Sequence, residues 1–448
     1  MTSVKSRPCS LQELDGKIVM RTAVRERFVV GTPMLTSSRG WSFVVLIILG
    51  LCLAGCDQPD RDAANEPNVG KGPGESRVVD HLSEARRLLE DRDYEAAAEA
   101  VWKALLQDPD DQDIRLVAGD IEAARGNFEV ATELAASIPI DSRLGQRAVN
   151  LQWKSLVKLG RHSDAADLLL DAMQQYPGIE NWHHVCWQLL NRVGRREEAS
   201  RQAEMLCKVG VANQSEMLSL VRRTESFPTL LNDGEGPEQF FNPGLGMARW
   251  FFTNTEYRKA LKELDDEKAA GFLTPAAKAL YGRLLGETQA FDEVPMWHAS
   301  QSEEMKGFGD YWVALGTYFF DMRQYSASAH ALLQAVYRNP SDRIAFQRLA
   351  KVFDALGRPE EAAQYRARGI LIADTEFAAD EIYKVDTDVA ARKRMPRYML
   401  DLGRPFETLH WNLMLLPPSA SQQQAVIARQ RNGFLANAEV IGMAAESA

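Results

Sequence analysis

Along most of this chain, apolar and small residues recur at spacings of three and four, the mark of helices that bury one face. The stretch from Gly309 to Asp342 shows the pattern most clearly. Trp312, Leu315, Gly316 and Phe319 share one face of a first helix, and Tyr325, Ser328, Leu332 and Ala335 share one face of a second. Pro340 then ends the second helix, because proline cannot donate into the hydrogen-bond ladder. A small residue where the two helices cross lets their backbones approach, and the aromatic that opens the second helix fills the space beside the turn. The pattern predicts helix, turn, helix.

The same unit repeats. Tyr94, Phe128, His162 and Arg196 follow one another at steps of 34 residues, and Ala97, Ala131, Ala165 and Ala199 keep the same step. A second series runs through Tyr257, Phe291, Tyr325 and Pro359, accompanied by Ala260, Val294, Ser328 and Ala362. Ala104 with Pro109, and Ala172 with Pro177, reproduce the ending seen at Pro340. The period and the Trp, Leu-Gly, Tyr, Ala, Phe and Pro landmarks resemble tetratricopeptide repeats. The resemblance covers 78–213 and 241–376, and is degenerate where Glu84, Gln152 and Arg196 stand at usually apolar positions. It implies an all-α fold, a right-handed α-solenoid of two blocks of four hairpins, each burying its apolar face against its neighbours.

Between the blocks, 214–240 reads as an irregular connector. Ser215 to Thr224 can form a helix, whereas Ser226 to Gly244 is dense in Pro, Gly and Asn. Beyond 376, GRPFE from Gly403 echoes GRPEE from Gly357, so 377–448 is expected to hold a distorted ninth pair over about 385–417. An amphipathic cap from Ser419 to Gly442 would cover the exposed end of the array.

The N-terminal part is of another kind. Trp41 to Leu53 is an apolar run of 13 residues, too short for a spanning helix and suited to an export signal. Leu53, Ala54, Gly55 and Cys56 resemble the lipobox of bacterial lipoproteins. The resemblance implies lipidation at Cys56, loss of residues 1–55, and a place in the bacterial envelope facing periplasm or exterior, held by the lipid anchor. Met34 would begin a signal of ordinary length, which makes 1–33 an over-extended reading frame. The polar, Pro/Gly-rich stretch 56–77 reads as a tether that would hold the body about 25 Å from the bilayer.

Charge narrows the partners. The 448 residues carry 52 Lys+Arg against 62 Asp+Glu, a net −10, and removal of 1–55 takes seven basic and three acidic residues and leaves −14. A general nucleic-acid binder needs the opposite balance. By family resemblance the groove is lined by the first helix of each unit. Its ninth positions here are Arg86, Asp120, Lys154, Gln188, Arg249, Arg283, Thr317 and Lys351, five of eight basic. Units three and four add Asn150, Lys158, Asn181, His184, Asn191 and Arg192. Such donors suit a protein or peptide partner presenting acidic side chains or a terminal carboxylate, which Arg192 can bind bidentately; the alternative is an ordinary solvated helix face. No unit pair repeats the Lys/Asn/Arg order of the chaperone-binding relatives.

Catalytic patterns are missing. The sequence has no G-x-x-x-x-G-K-[ST], H-E-x-x-H or G-x-S-x-G, and no C-x-x-C. His183 and His184 are adjacent and point about 100° apart on a helix, so they are read as one core-edge and one surface residue rather than as a metal site. Cys186 and Cys207 can form a disulfide or stand as buried thiols, and the second reading is preferred. No cofactor is expected. The expected function is a non-enzymatic, lipid-anchored scaffold. The alternatives are an assembly helper of a larger envelope system (outer-membrane insertion, pilus, secretion or cell-wall machinery) or the non-catalytic part of a split enzyme.

Overall fold

A computed structural model describes residues 73–432, apart from 224–235 and positions 270, 272, 301, 386, 387 and 418. All belong to one compact unit over 71–448. The expected signal, Cys56 and most of the tether lie outside the described residues, as does the end of the expected cap. Among the described residues there are twenty α-helices, the last over 421–432 in the expected cap, two short 3-10 helices and no strand, and no helix is long and apolar enough to cross a membrane.

The first four hairpins are α1 (Pro73–Glu90) with α2 (Tyr94–Gln107), α3 (Gln112–Arg125) with α4 (Phe128–Ala136), α5 (Gly145–Lys158) with α6 (His162–Gln175), and α7 (Glu180–Arg192) with α8 (Arg196–Val209). Since α1 starts at Pro73, the last residues of the expected tether are helical. Each hairpin turns on a left-handed residue, and these keep the sequence period: Arg92, Gly126, Gly160 and Gly194, then Thr255, Gln289, Arg323 and Gly357 in the second block. Four of the eight are not glycine, so those turns hold a conformation that side chains disfavour.

The helices cross where the sequence places small residues. Ala97, Ala131, Ala165, Ala199, Ala260, Ser328 and Ala362 are fully buried, as is Val294. Ser328 keeps its hydroxyl satisfied by donating to the carbonyl of Gly316 at 2.7 Å, which removes the penalty of burying it.

After α8 comes a short helix, α9 (Gln214–Ser219), which starts 34 residues after α7. It stacks on α7 as α7 stacks on α5. Trp182 Nε1 donates to Asn150 Oδ1 at 2.7 Å, and Trp187 Nε1 donates to Ser219 Oγ at 3.1 Å, both across 32 residues. The connector therefore begins as the first helix of a fifth hairpin that is cut short, in the stretch from Ser215 that the sequence reading allowed to be helical. A capping box between Asn213 and Glu216 starts this helix. Arg196 and Arg404 close it by donating to the carbonyls of Ser219 and Leu220, groups that a helix C-terminus leaves without partners.

The second block comprises α10 (Leu245–Thr253) with α11 (Tyr257–Ala269), α12 (Pro275–Glu287) with α13 (Val294–Ala299), α14 (Gly309–Asp321) with α15 (Tyr325–Arg338), and α16 (Arg343–Ala355) with α17 (Pro359–Lys384). It starts at the turn of unit four rather than on its flank. Asn242 N donates to Arg192 O at 2.9 Å, and a Cβ at Gly194 would stand 2.7 Å from the carbonyl oxygen of Leu245.

The vacated flank of unit four is taken by the chain's far end. Helix α17 runs past residue 376, and a ninth pair follows, α18 (Val389–Asp401) and α19 (Pro405–Met414). Ala378, Ile382, Met395, Met399 and Trp411 share one core with Leu206, Cys207, Met217 and Leu220. Arg222 pairs with Asp380 at 2.8 Å, and His410 Nε2 donates to Ala212 O at 2.7 Å. Units four to nine thus close on themselves.

Candidate functional site

The two blocks treat their groove-lining residues differently. In the first block, charges at the rim of α1, α3 and α5 answer one another across units: Arg86 with Asp113 at 3.7 Å, Arg143 with Asp113 at 2.9 Å, and Arg147 with Asp120 at 3.5 Å. This ladder stops at Lys154. Lys154 is half-buried, with its ammonium 5.9 Å from the centroid of the Trp153 ring. Lys158, one turn further along α5, is exposed, as is Gln188 on α7, and neither lysine has an ion pair among the described residues.

The other expected lining residues are partly occupied. Asn150 gives its carbonyl oxygen to the indoles of Trp153 and Trp182, while Asn181 is half-buried. His184 holds Glu216 at 2.5 Å and Glu180 at 3.5 Å. The Glu216 hydrogen bond raises His184 above its usual range, against the opposing effect of burial. Asn191 is buried with neither amide atom hydrogen-bonded. Arg192 is half-buried and donates from Nε to Asn242 Oδ1 at 3.2 Å. Burial lowers its pKa, and burial together with the Arg192 charge holds His162 below its usual range.

In the second block, Arg249 and Arg283 were expected to face a ligand, and this is corrected by their burial. Arg249 pairs with Asp310 at 2.6 Å and Glu197 at 3.6 Å. Arg283 pairs with Asp310 at 2.8 Å and Asp342 at 2.5 Å. Its guanidinium lies 4.8 Å from the centroid of the Phe252 ring. Glu287 and Arg348 continue the chain of charges at 2.7 Å. Burial alone would raise Asp310, yet the two guanidiniums hold it below the ordinary carboxylate range. This face is filled by the protein's own carboxylates. Lys351, at the ninth position of α16, remains exposed.

Asp310 and Asp342 had no place in the sequence reading. The available signal was an aspartate at the start of two successive first helices, which also fits ordinary capping: Asp342 Oδ1 does accept from Ala345 N at 3.0 Å. Cys186 and Cys207 are buried free thiols, so the disulfide is not formed in the structure. His183 is buried against Gln202 and the Pro177 carbonyl, at 2.7 and 3.0 Å, and the described residues gather no set of three metal-ligating side chains.

No curated protein matches the sequence. Among solved structures, the chain is similar to the anaphase-promoting complex hetero-tetramer Cut9–Hcn1, with 13% identity over 81% of this chain and 79% of that one and a TM-score of 0.30. It is also similar to yeast Tom70, with 10% identity over 80% and 85% and a TM-score of 0.24. The TPR2AB domain of yeast Sti1, in its pHSP90 complex, gives 11% identity over 64% and 99% and a TM-score of 0.23. These are loose superpositions of helical arrays. The family model for the tetratricopeptide repeat matches residues 82–142 and 313–374, one stretch in each block. The described residues therefore form a helical repeat array that carries tetratricopeptide repeats at 82–142 and 313–374, units that generally mediate contact between proteins.

Proposed function

We propose that this protein is a scaffold that receives an acidic or carboxylate-terminated peptide segment of a partner in the groove of its first block, against Lys154, Lys158, Gln188 and Arg192. The observation that carries the reading is the break in the charge ladder. From Arg86 to Arg147 the groove neutralises itself, while Lys154 and Lys158 sit one turn apart with no carboxylate paired to them among the described residues. Two unpaired cations on one helix face favour an anionic group. Asn181, Asn150 and His184 flank this position, and Lys351 stands apart from it on α16. The lipobox resemblance at Cys56 supports attachment to a bacterial envelope membrane, which would put the groove within a tether's reach of the bilayer.

A fluorescently labelled Asp/Glu-rich peptide with a free C-terminus serves as the probe. Charge reversal of Lys154 and Lys158 together should weaken its binding at least about tenfold, the loss of about 1.4 kcal/mol, while Lys351→Glu leaves it unchanged. Equal binding by all three proteins would remove the reading. Substituting Cys56 by Ala should move the protein from the membrane fraction to the soluble one; unchanged fractionation would count against lipidation.

A further inference from the structure

Five large apolar side chains that stand more than half exposed fall on one hairpin: Ile370 and Phe377 on α17, Val385 just beyond it, and Val389 and Leu400 on α18. On α18, Val389, Lys393, Arg397 and Leu400 recur at helical spacing and so share one outward face. The register of the hairpin is set at both ends. Arg368 donates to the carbonyls of Asp401 and Leu402, and Arg394 pairs with Glu381. This brings Ile370 toward Leu400 at the open end, and leaves Lys384 and Lys393 at the loop end. Lys384 and Lys393 have no ion pair among the described residues, and Arg397 is three-quarters exposed beside Asp401. Toward the loop this face carries Lys384 and Lys393 beside Val385 and Val389, and toward the open end Ile370 and Leu400 beside Arg397.

The first unit carries the complement. On α2, Glu95, Glu99, Trp102 and Leu106 form an exposed stripe, acidic at the N-terminal end and apolar at the C-terminal end, with Leu106 83% exposed. Glu95 remains 80% exposed although it pairs with Arg125. From Glu95 to Leu106 the helix rises about 16 Å, and from Ile370 to Lys384 about 21 Å, so the α2 stripe fits within the length of the α17–α18 face. Both faces are open in the same molecule, so neither covers the other.

We propose that the two meet between copies: α2 of one chain lies on the α17–α18 face of another, Glu95 and Glu99 over Lys384 and Lys393, Trp102 and Leu106 over Phe377, Ile370 and Leu400. The contact joins two different patches, so each chain keeps one of each free, and the product is a closed ring or an open row rather than a two-fold dimer. An anionic bilayer would also suit the lysines, but it offers nothing to α2.

Sedimentation velocity on the full chain tests this across a range of protein and salt concentrations. The expected result is self-association that weakens with salt, with Phe377→Glu raising the half-association concentration about tenfold or more. Glu99→Lys and Lys393→Glu should each weaken it, and the double exchange should restore it. Association through the apolar run at 41–53 would ignore these charges, so unaltered association in both single variants overturns the proposal, as does a monomer at every concentration. Vesicles of phosphatidylglycerol and phosphatidylcholine supply the remaining arm. Binding to them that falls in Lys393→Glu, without self-association in solution, would assign the face to a membrane and also overturn the proposal.

Discussion

Replacing Asp310 by Ala should loosen the second block while leaving the first intact. The carboxylate sits between two guanidiniums, Arg249 at 2.6 Å and Arg283 at 2.8 Å, and both cations are buried. Removing one partner from a buried ion pair costs about 3–5 kcal/mol, because the charge left behind stays out of water. Here each arginine keeps a second carboxylate, Asp342 at 2.5 Å for Arg283 and Glu197 at 3.6 Å for Arg249. The expected loss is therefore at the low end, about 3 kcal/mol. In an array whose units are stabilised by their neighbours, that loss is local. Urea unfolding should become biphasic, and hydrogen exchange read by mass spectrometry should lose protection in α10, α12, α14 and α16 before α3, α5 and α7. A loss below about 1 kcal/mol, the range of an exposed ion pair, would refute the argument that this ladder holds the second block, as would protection lost evenly along the chain. The sign with pH also follows. Asp310 is depressed in the folded state, so its contribution is present above its ordinary 3.8 and disappears only as the pH falls through its lower folded value.

His184 is raised by Glu216, so its pair adds stability that is full below the ordinary 6.5 and is lost as the pH rises through the folded value. His162 and His410 are lowered, chiefly by burial, and act in the opposite sense. The difference between wild type and His184→Gln in urea midpoints at about pH 6 and about pH 8 isolates the term, and no difference would exclude it. A Cβ at Gly316 would stand 2.5 Å from Leu332 Cγ, a branch point in a buried side chain, whereas one at Gly119 would meet the terminal Cδ2 methyl of Leu151 at 2.7 Å. Gly316→Ala should destabilise by about 1–2 kcal/mol after its gain in helix propensity, and Gly119→Ala should be near neutral; thermal melts that rank them the other way would contradict the packing. Burial pushes the Cys186 thiol up to about 12 and Cys207 higher still. Neither should react with iodoacetamide in the native protein, and both should react on unfolding without a reductant. Thr255→Gly relieves a β-branched residue at φ 61° and should raise stability by about 1 kcal/mol, as measured by urea denaturation.

The repeat was legible because it obeys local rules. The step linking Ala97, Ala131, Ala165 and Ala199 marks helix crossings that are buried in the structure. What escaped was the way the array is routed. Glu180 and Gln214 stand one period apart, yet α9 is too short to show the repeat's face, so the helix at Ser215 was legible and its place in the register was not. Arg249 and Arg283 occupy groove positions by register, but whether a groove side chain meets solvent or another carboxylate depends on how far the array curves. Trp411 and Met399 pack on unit four through contacts about 200 residues apart that no periodicity announces. Lys154 and Lys158 were legible as cations, whereas their lack of partners appears only beside the Arg143 and Arg147 pairs.

The docking of the ninth pair on unit four has a consequence for how the chain acquires its shape during synthesis. Hairpins one to three find their neighbours as soon as they leave the ribosome, since each needs only the next. Hairpin four cannot finish its core until Trp411 has been translated, so Leu206, Cys207 and Met217 wait uncovered while the second block emerges. Nascent chains arrested short of residue 378 should expose that surface and attract chaperones there, and chains released past residue 414 should not.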